Sequence, residues 1–183
     1  MKTILSELIA EWKERELPKI IEREKDPTKY IDWKIFKAIP IIGFRRTGKT
    51  FLLLSIAKKL GKENTIYIDF EDERIPQKSE VLTNLSNVIK EMYGRKKLIL
   101  LLDEIQNIPN WSKWVRRMLD TFNYQIFISG SSSKLSSKEI PTELRGRCLT
   151  IELYPLSFSE FLKFKNEKIE ELTDALKLSL IHI

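Results

Sequence analysis

Residues 36–61 read FKAIPIIGFRRTGKTFLLLSIAKKLG, and this stretch restricts the fold more than any other in the chain. An isoleucine-rich run ends at Gly43, and Gly48, Lys49 and Thr50 open a second apolar stretch that closes on Lys58, Lys59 and Gly61. The short first run reads as a buried strand. The longer one, with basic residues and then glycine at its end, reads as a helix with a glycine C-cap. Between them lie Gly43, four residues, then Gly48-Lys49-Thr50, the spacing of a loop whose amides cradle phosphate. The backbone there must curl so that successive N–H groups converge on anionic oxygens, beside the positive end of the following helix. A plain strand-to-helix turn needs a glycine but not Gly-Lys-Thr, and chance gives the pattern in about one chain of this length in a hundred. Gly43, Phe44, Arg45, Arg46, Thr47, Gly48, Lys49, Thr50 and Phe51 are therefore the candidate nucleotide-binding residues. Lys49 can reach the β and γ phosphates, and the Thr50 hydroxyl is a hard ligand for Mg2+.

Beyond this unit the same rhythm repeats. TIYIDF (65–70) reads as a strand, SEVLTNLSNVIKEMYG (79–94) as a helix, and KKLILLLDE (96–104) as a strand apolar on both faces. Asn110 can cap a helix carrying Trp111, Trp114, Val115 and Met118 at helical spacing, followed by the strand YQIFISG (124–130). A short helix in KEIPTELRG and a fifth strand in CLTIELY complete the series. Strand and helix in alternation predict an α/β fold, a five-stranded parallel sheet with helices on both faces. Upstream, Ile4, Leu5, Leu8, Ile9 and Trp12 form the stripe of an amphipathic helix, and Pro18 is expected to open a second helical turn through KIIERE.

The strand LILLL ends on Asp103 and Glu104. An aspartate at a strand tip can hold the magnesium shell opposite Thr50, and the adjoining Glu104 can polarise a water for attack on the γ phosphate. One complete strand–helix unit separates the loop from these acids, the order of phosphate-loop proteins that hydrolyse ATP through a glutamate-activated water. No Asn-Lys-x-Asp guanine reader follows, so ATP is the expected nucleotide. At the tip of the next strand stand Ser129, Ser131, Ser132 and Ser133, any of which can meet the γ phosphate or the attacking water. Arg145 and Arg147, in ELRGR, can neutralise transition-state charge in this subunit or in a neighbour.

Composition excludes other chemistry. Among 183 residues Cys148 is the only cysteine and His182 the only histidine, which rules out disulfide frameworks, thiolate zinc sites and histidine-based nucleophilic triads. No apolar run approaches membrane-span length and no secretory signal opens the chain, so a cytoplasmic protein is expected. The net charge of +6 includes clusters at 95–97 and 113–117, which read as solvated faces or as weak attraction to nucleic acid or an acidic partner.

These motifs together resemble the prokaryotic, especially archaeal, AAA+-type ATPases whose long members carry a C-terminal domain of unassigned function. The matching stretches are GFRRTGKT, YIDFEDERI, LLDEIQNIPNWSKWVRRMLD, FISGSSSKL, ELRGR and ELYPLSFSEFL, in that order over residues 16–163. The resemblance implies Gly43, Gly48, Lys49 and Thr50 as Walker A, and Asp103 and Glu104 as Walker B. It also implies Ser131 as the polar sensor, and Arg145 or Arg147 at the arginine-finger position. Asp72 and Arg74 of DFEDER are expected to form a structural pair. Three parts follow: an N-terminal helical segment (1–36) packed on the core, an ATPase core (37–163), and the start of lid helices (164–183). Because the resembling proteins close a lid over the nucleotide, weak turnover is expected of this chain. Mg2+-dependent ATP hydrolysis coupled to a protein partner, a homo-oligomer or a further domain is the leading expectation. A nucleotide-binding interaction module and a DNA-associated ATP-binding protein are the alternatives.

Overall fold

The computed structural model describes residues 1–122, 124–131 and 144–165. Helix α1 (Lys2–Glu14) precedes strand β1 (Ala38–Gly43), helix α2 (Lys49–Leu60), strand β2 (Thr65–Asp69) and helix α3 (Glu80–Tyr93). Strand β3 (Ile99–Asp103), helix α4 (Trp111–Phe122), strand β4 (Gln125–Ser131), the short strand β5 (Ile151–Glu152) and helix α5 (Phe158–Lys165) follow. The five strands form one sheet in the order β2-β3-β4-β1-β5, and every pairing is parallel. The α/β architecture expected from the strand–helix alternation is thus present.

Side chains alternate across the sheet, and each face receives its own helices. Ile39, Ile41, Ile99, Leu101 and Phe127 pack with Leu52, Leu53 and Ile56 of α2. On the other face Ile66, Ile68, Leu100, Leu102, Ile126 and Ile128 meet α3 and α4. The N-terminal helix serves both. Its Leu5 and Ile9 join the α3 side while Trp12 joins the α2 side, so α1 straddles the edge strand β2. There the Trp12 indole N–H donates to the Thr65 carbonyl at 3.0 Å, occupying an edge-strand acceptor that would otherwise invite another chain.

Two expectations are corrected. Residues 17–25 form no helix after Pro18. Their hydrogen-bonding groups are drawn elsewhere: the Glu24 amide and the Arg23 guanidinium both reach Glu160, and Lys25 donates to the Glu152 carbonyl. These long-range bonds override a weak local helix preference. The fifth strand is also shorter than CLTIELY, because it lies at a sheet edge with β1 as its single partner. Backbone bonds from Leu149 to Ala38 and from Leu153 to Ile42 still hold its flanks alongside β1. The short helix expected in KEIPTELRG falls largely outside the described residues, as does the proposed lid start beyond 165. No helix among the described residues is long and apolar enough to cross a membrane. Part of the basic clusters is taken up internally, since Arg116 pairs with Asp120 and Lys96 donates to the Glu63 carbonyl.

Candidate functional site

Parallel strands bring their C-terminal tips to one side, and the predicted motifs meet there. Gly43 ends β1, Ser131 lies beside it in β4, and Asp103 pairs directly with both Ser129 and Asp69. The loop from Gly43 leads to Gly48, whose φ of 89° is a left-handed conformation natural to glycine, and α2 begins at Lys49. No side chain caps the N-terminus of α2, so its first amides are left for a ligand or solvent. Gly43 is needed for a different reason. A Cβ there would overlap the Leu153 carbonyl, because the flank of β5 passes against the loop.

Within the loop the Lys49 ammonium donates to the carbonyls of Gly43 (3.1 Å) and Phe44 (2.9 Å), and Thr47 Oγ1 donates to Phe44 O at 2.9 Å. Burial lowers the pKa of Lys49, opposed by the negative charges of Glu104 and Asp103. Arg45, Arg46, Lys49, Thr50 and Phe51 line a cleft of about 670 Å³, with Glu104 on its far wall. Three cations, a free helix N-terminus and a hydroxyl thus face one space, a donor set that fits phosphate.

The two acids differ. Asp103 is buried and its carboxylate accepts from the Tyr67 hydroxyl at 2.9 Å and from Ser129 Oγ. Glu104 sits in a left-handed turn (φ 52°) and accepts from the Gln106 amide. Burial pushes its carboxyl above the usual range; the Gln106 hydrogen bond pulls the other way, and the Asp103 charge pushes up again. Burial likewise raises Asp69, and, together with the charge of Asp103, raises the Tyr67 phenol far above its ordinary value, so Tyr67 is a neutral donor.

A second cleft of about 260 Å³ adjoins the first. Ile21, Phe51, Leu52, Leu156 and Phe164 give it mostly apolar walls, and it shares Arg46, Gly48 and Phe51 with the cationic cleft. Arg23 fixes this corner. Its guanidinium donates to Thr47 O (2.8 Å), Tyr154 O (2.9 Å) and Glu160 (2.7 Å), tying the loop to the N-terminal segment and to α5.

The model of a family described as an AAA domain matches residues 36–162. The chain belongs to that family. An uncharacterized protein of Methanocaldococcus jannaschii is 49% identical over 132 residues, which are 72% of this chain and 29% of that protein. An uncharacterized Haemophilus influenzae protein is 36% identical over 80% of this chain and 38% of its own length. A further uncharacterized M. jannaschii protein is 32% identical over 82% of this chain and 33% of its own. The chain thus spans about a third of the length of these relatives.

Within this AAA domain the predicted residues divide into two groups. Gly43–Phe51, Asp103 and Glu104 come together at the strand tips. Arg145 and Arg147 do not join them. The Arg147 carbonyl accepts from the Ala38 amide at the start of β1, and its side chain pairs with Asp120 at the end of α4. Five residues of strand then separate it from Gly43, about 16 Å at the usual rise. Arg145, two residues earlier, is exposed. Ser131 ends β4 next to Gly43, and its side chain lies outside the described residues. Ser129 turns inward to Asp103. The Asp72–Arg74 pair forms at 2.9 Å, and Arg74 extends it to Glu11, fastening α1 to the loop after β2.

Sequence reasoning missed Arg23, Tyr67, Gln106 and the apolar cleft. Arg23 and Glu160 carry no local signal, since their partnership exists only after folding. Gln106, two residues after Glu104, was legible as a polar neighbour of the acids.

Proposed function

We propose that this AAA domain binds ATP with Mg2+ and hydrolyses it in the cleft between the α2 N-terminus and the tip of β3. One observation carries the reading. The cationic cleft and the apolar cleft share Arg46, Gly48 and Phe51, so a ligand with a polyanionic end and a flat apolar end can span both. A nucleoside triphosphate has that shape. Its base would lie among Ile21, Phe51, Leu156 and Phe164, and its phosphates over the α2 amides.

Each residue then has a defined task. Lys49 exchanges the Gly43 and Phe44 carbonyls for β- and γ-phosphate oxygens, a stronger charge-assisted bond. Magnesium, when bound, supplies the charge that offsets those oxygens. The Thr50 hydroxyl and the Asp103 carboxylate are the groups that would hold it. Glu104 accepts the proton of the attacking water, and its raised proton affinity suits a general base. Arg45 and Arg46 add positive charge from the loop itself. Arg145 and Arg147 would act at a neighbouring copy's phosphates, because Arg147 lies at the start of β1, the opposite end of the strands from Gly43, and such a role requires a homo-oligomer. Coupling of turnover to a partner or to a further part of a longer protein belongs to the same proposal.

The test is calorimetry of ATP with Mg2+ alongside phosphate release. Lys49→Ala should lose binding. Glu104→Gln should bind ATP and lose phosphate release by about 100-fold or more, the range for removing a positioned proton acceptor. Unaltered release in Glu104→Gln would remove it from the mechanism, and equal binding by Lys49→Ala would overturn the site.

A further inference from the structure

Both oxygens of the Asp103 carboxylate accept hydrogen bonds from within the sheet. Tyr67 donates to Oδ2 at 2.9 Å, and Ser129 donates to Oδ1. The strand register explains how. Ser129 is the direct partner of Asp103 across β3 and β4, while Tyr67 stands two residues before the opposite partner Asp69 and reaches diagonally on the same face. Neither donor lines the cationic cleft.

We propose that Tyr67 is a positioning residue for the metal: with Ser129 it fixes the rotation of the Asp103 carboxylate and so sets the Mg2+ affinity of the nucleotide site. This rests on the reading of Asp103 as the magnesium-shell acid. The terminal torsion of an aspartate is soft, and a carboxylate without fixed donors rotates through a broad range. Two donors on separate oxygens remove that freedom. Each oxygen keeps a further lone pair for a ligand or a metal-bound water. Groups in this position generally change metal affinity or activity by 10- to 100-fold when removed.

A purely structural role for Tyr67 would need its ring and not its hydroxyl. The ring packs on Trp12 with centroids 5.3 Å apart, among the apolar residues under α2. Phenylalanine would satisfy that packing equally. The hydroxyl meets Asp103, and that is the feature which packing does not account for.

The experiment uses the full chain as wild type, Tyr67→Phe, Ser129→Ala and Arg15→Ala, the last altering a residue placed over the Tyr67 ring. ATP binding is followed calorimetrically across a Mg2+ titration and in excess chelator, with thermal unfolding alongside. Tyr67→Phe should raise the Mg2+ half-saturation about tenfold or more, while metal-free ATP affinity stays at the wild-type level. Arg15→Ala should match the wild type, and Ser129→Ala should shift in the same direction as Tyr67→Phe. An unchanged half-saturation in a folded Tyr67→Phe overturns the proposal, as does an equal shift in Arg15→Ala. If Tyr67→Phe does not fold, an unshifted Ser129→Ala overturns it. Wild-type ATP binding that ignores Mg2+ would instead remove the magnesium reading of Asp103, a result distinct from a Tyr67 failure.

Discussion

Arg23 and Glu160, 137 residues apart in the chain, form a 2.7 Å ion pair with both side chains almost withdrawn from solvent. Through it the N-terminal segment, the phosphate loop and α5 share one fixed point, because Arg23 also donates to Thr47 O and Tyr154 O. Burial alone would raise the Glu160 carboxyl, but Arg23 and the amides of Ser157 and Glu24 outweigh it and hold the group down at about 2.

That depression fixes a sign. A carboxyl whose folded pKa lies below its ordinary 4.5 contributes stability that is complete above 4.5 and is lost as pH falls towards 2. Glu160→Gln should lose this component, and the gap between wild type and variant in urea unfolding should shrink across that window. At neutral pH the variant leaves Arg23 buried without its counter-charge, at a cost of about 3 kcal/mol. A gap independent of pH would show that Glu160 acts through packing alone.

The two loop glycines should fail differently. In Gly48→Ala the new methyl meets nothing closer than Arg23 Nη1 at 3.8 Å, so the penalty is conformational, about 1–2 kcal/mol for a left-handed φ. Gly43→Ala drives a methyl into the Leu153 carbonyl, and backbone must move. Denaturant unfolding should therefore rank Gly43→Ala as clearly the less stable. The reverse order would mean that β5 yields easily to the loop.

Arg46 offers a case in which stability and binding part company. Its φ of 64° is left-handed, and an arginine there bears strain that glycine relieves by about 1–2 kcal/mol, against about 0.5–1 kcal/mol of added unfolded-chain entropy. Arg46→Gly should unfold at the same temperature or slightly higher. It should also bind ATP more weakly, because a cation leaves the wall shared by both clefts. A less stable variant with unchanged affinity would contradict both halves.

The sheet and the phosphate loop were legible because their signals are local. Isoleucine-rich runs, Gly61 as a C-cap and Gly-Lys-Thr at a helix start each state their own conformation within a few residues. The segment from Pro18 to Lys25 was misread for the opposite reason. Its apolar spacing favours a helix, yet its polar groups bond to residues 152–160, which no local window contains. Tyr67 belongs to the same class. In the sequence it is one more aromatic in a strand, and only the diagonal register of β2 on β3 turns its hydroxyl into a partner of Asp103.

Gln106 supplies the last test. Its amide N–H donates to Glu104, while its own carbonyl oxygen is buried with no hydrogen-bond partner. A buried orphan acceptor is costly, so keeping Gln106 here is accounted for by its bond to Glu104, the proposed general base. Gln106→Ala should leave ATP affinity near wild type, since Gln106 itself lines neither cleft and meets the site only through Glu104. Phosphate release should fall about tenfold or more, as expected when a support of a catalytic group is removed. Gln106→Met, close in shape but without either polar atom, should fall equally. Retained release in both variants would mean that Glu104 is oriented by its own left-handed turn and needs no amide beside it.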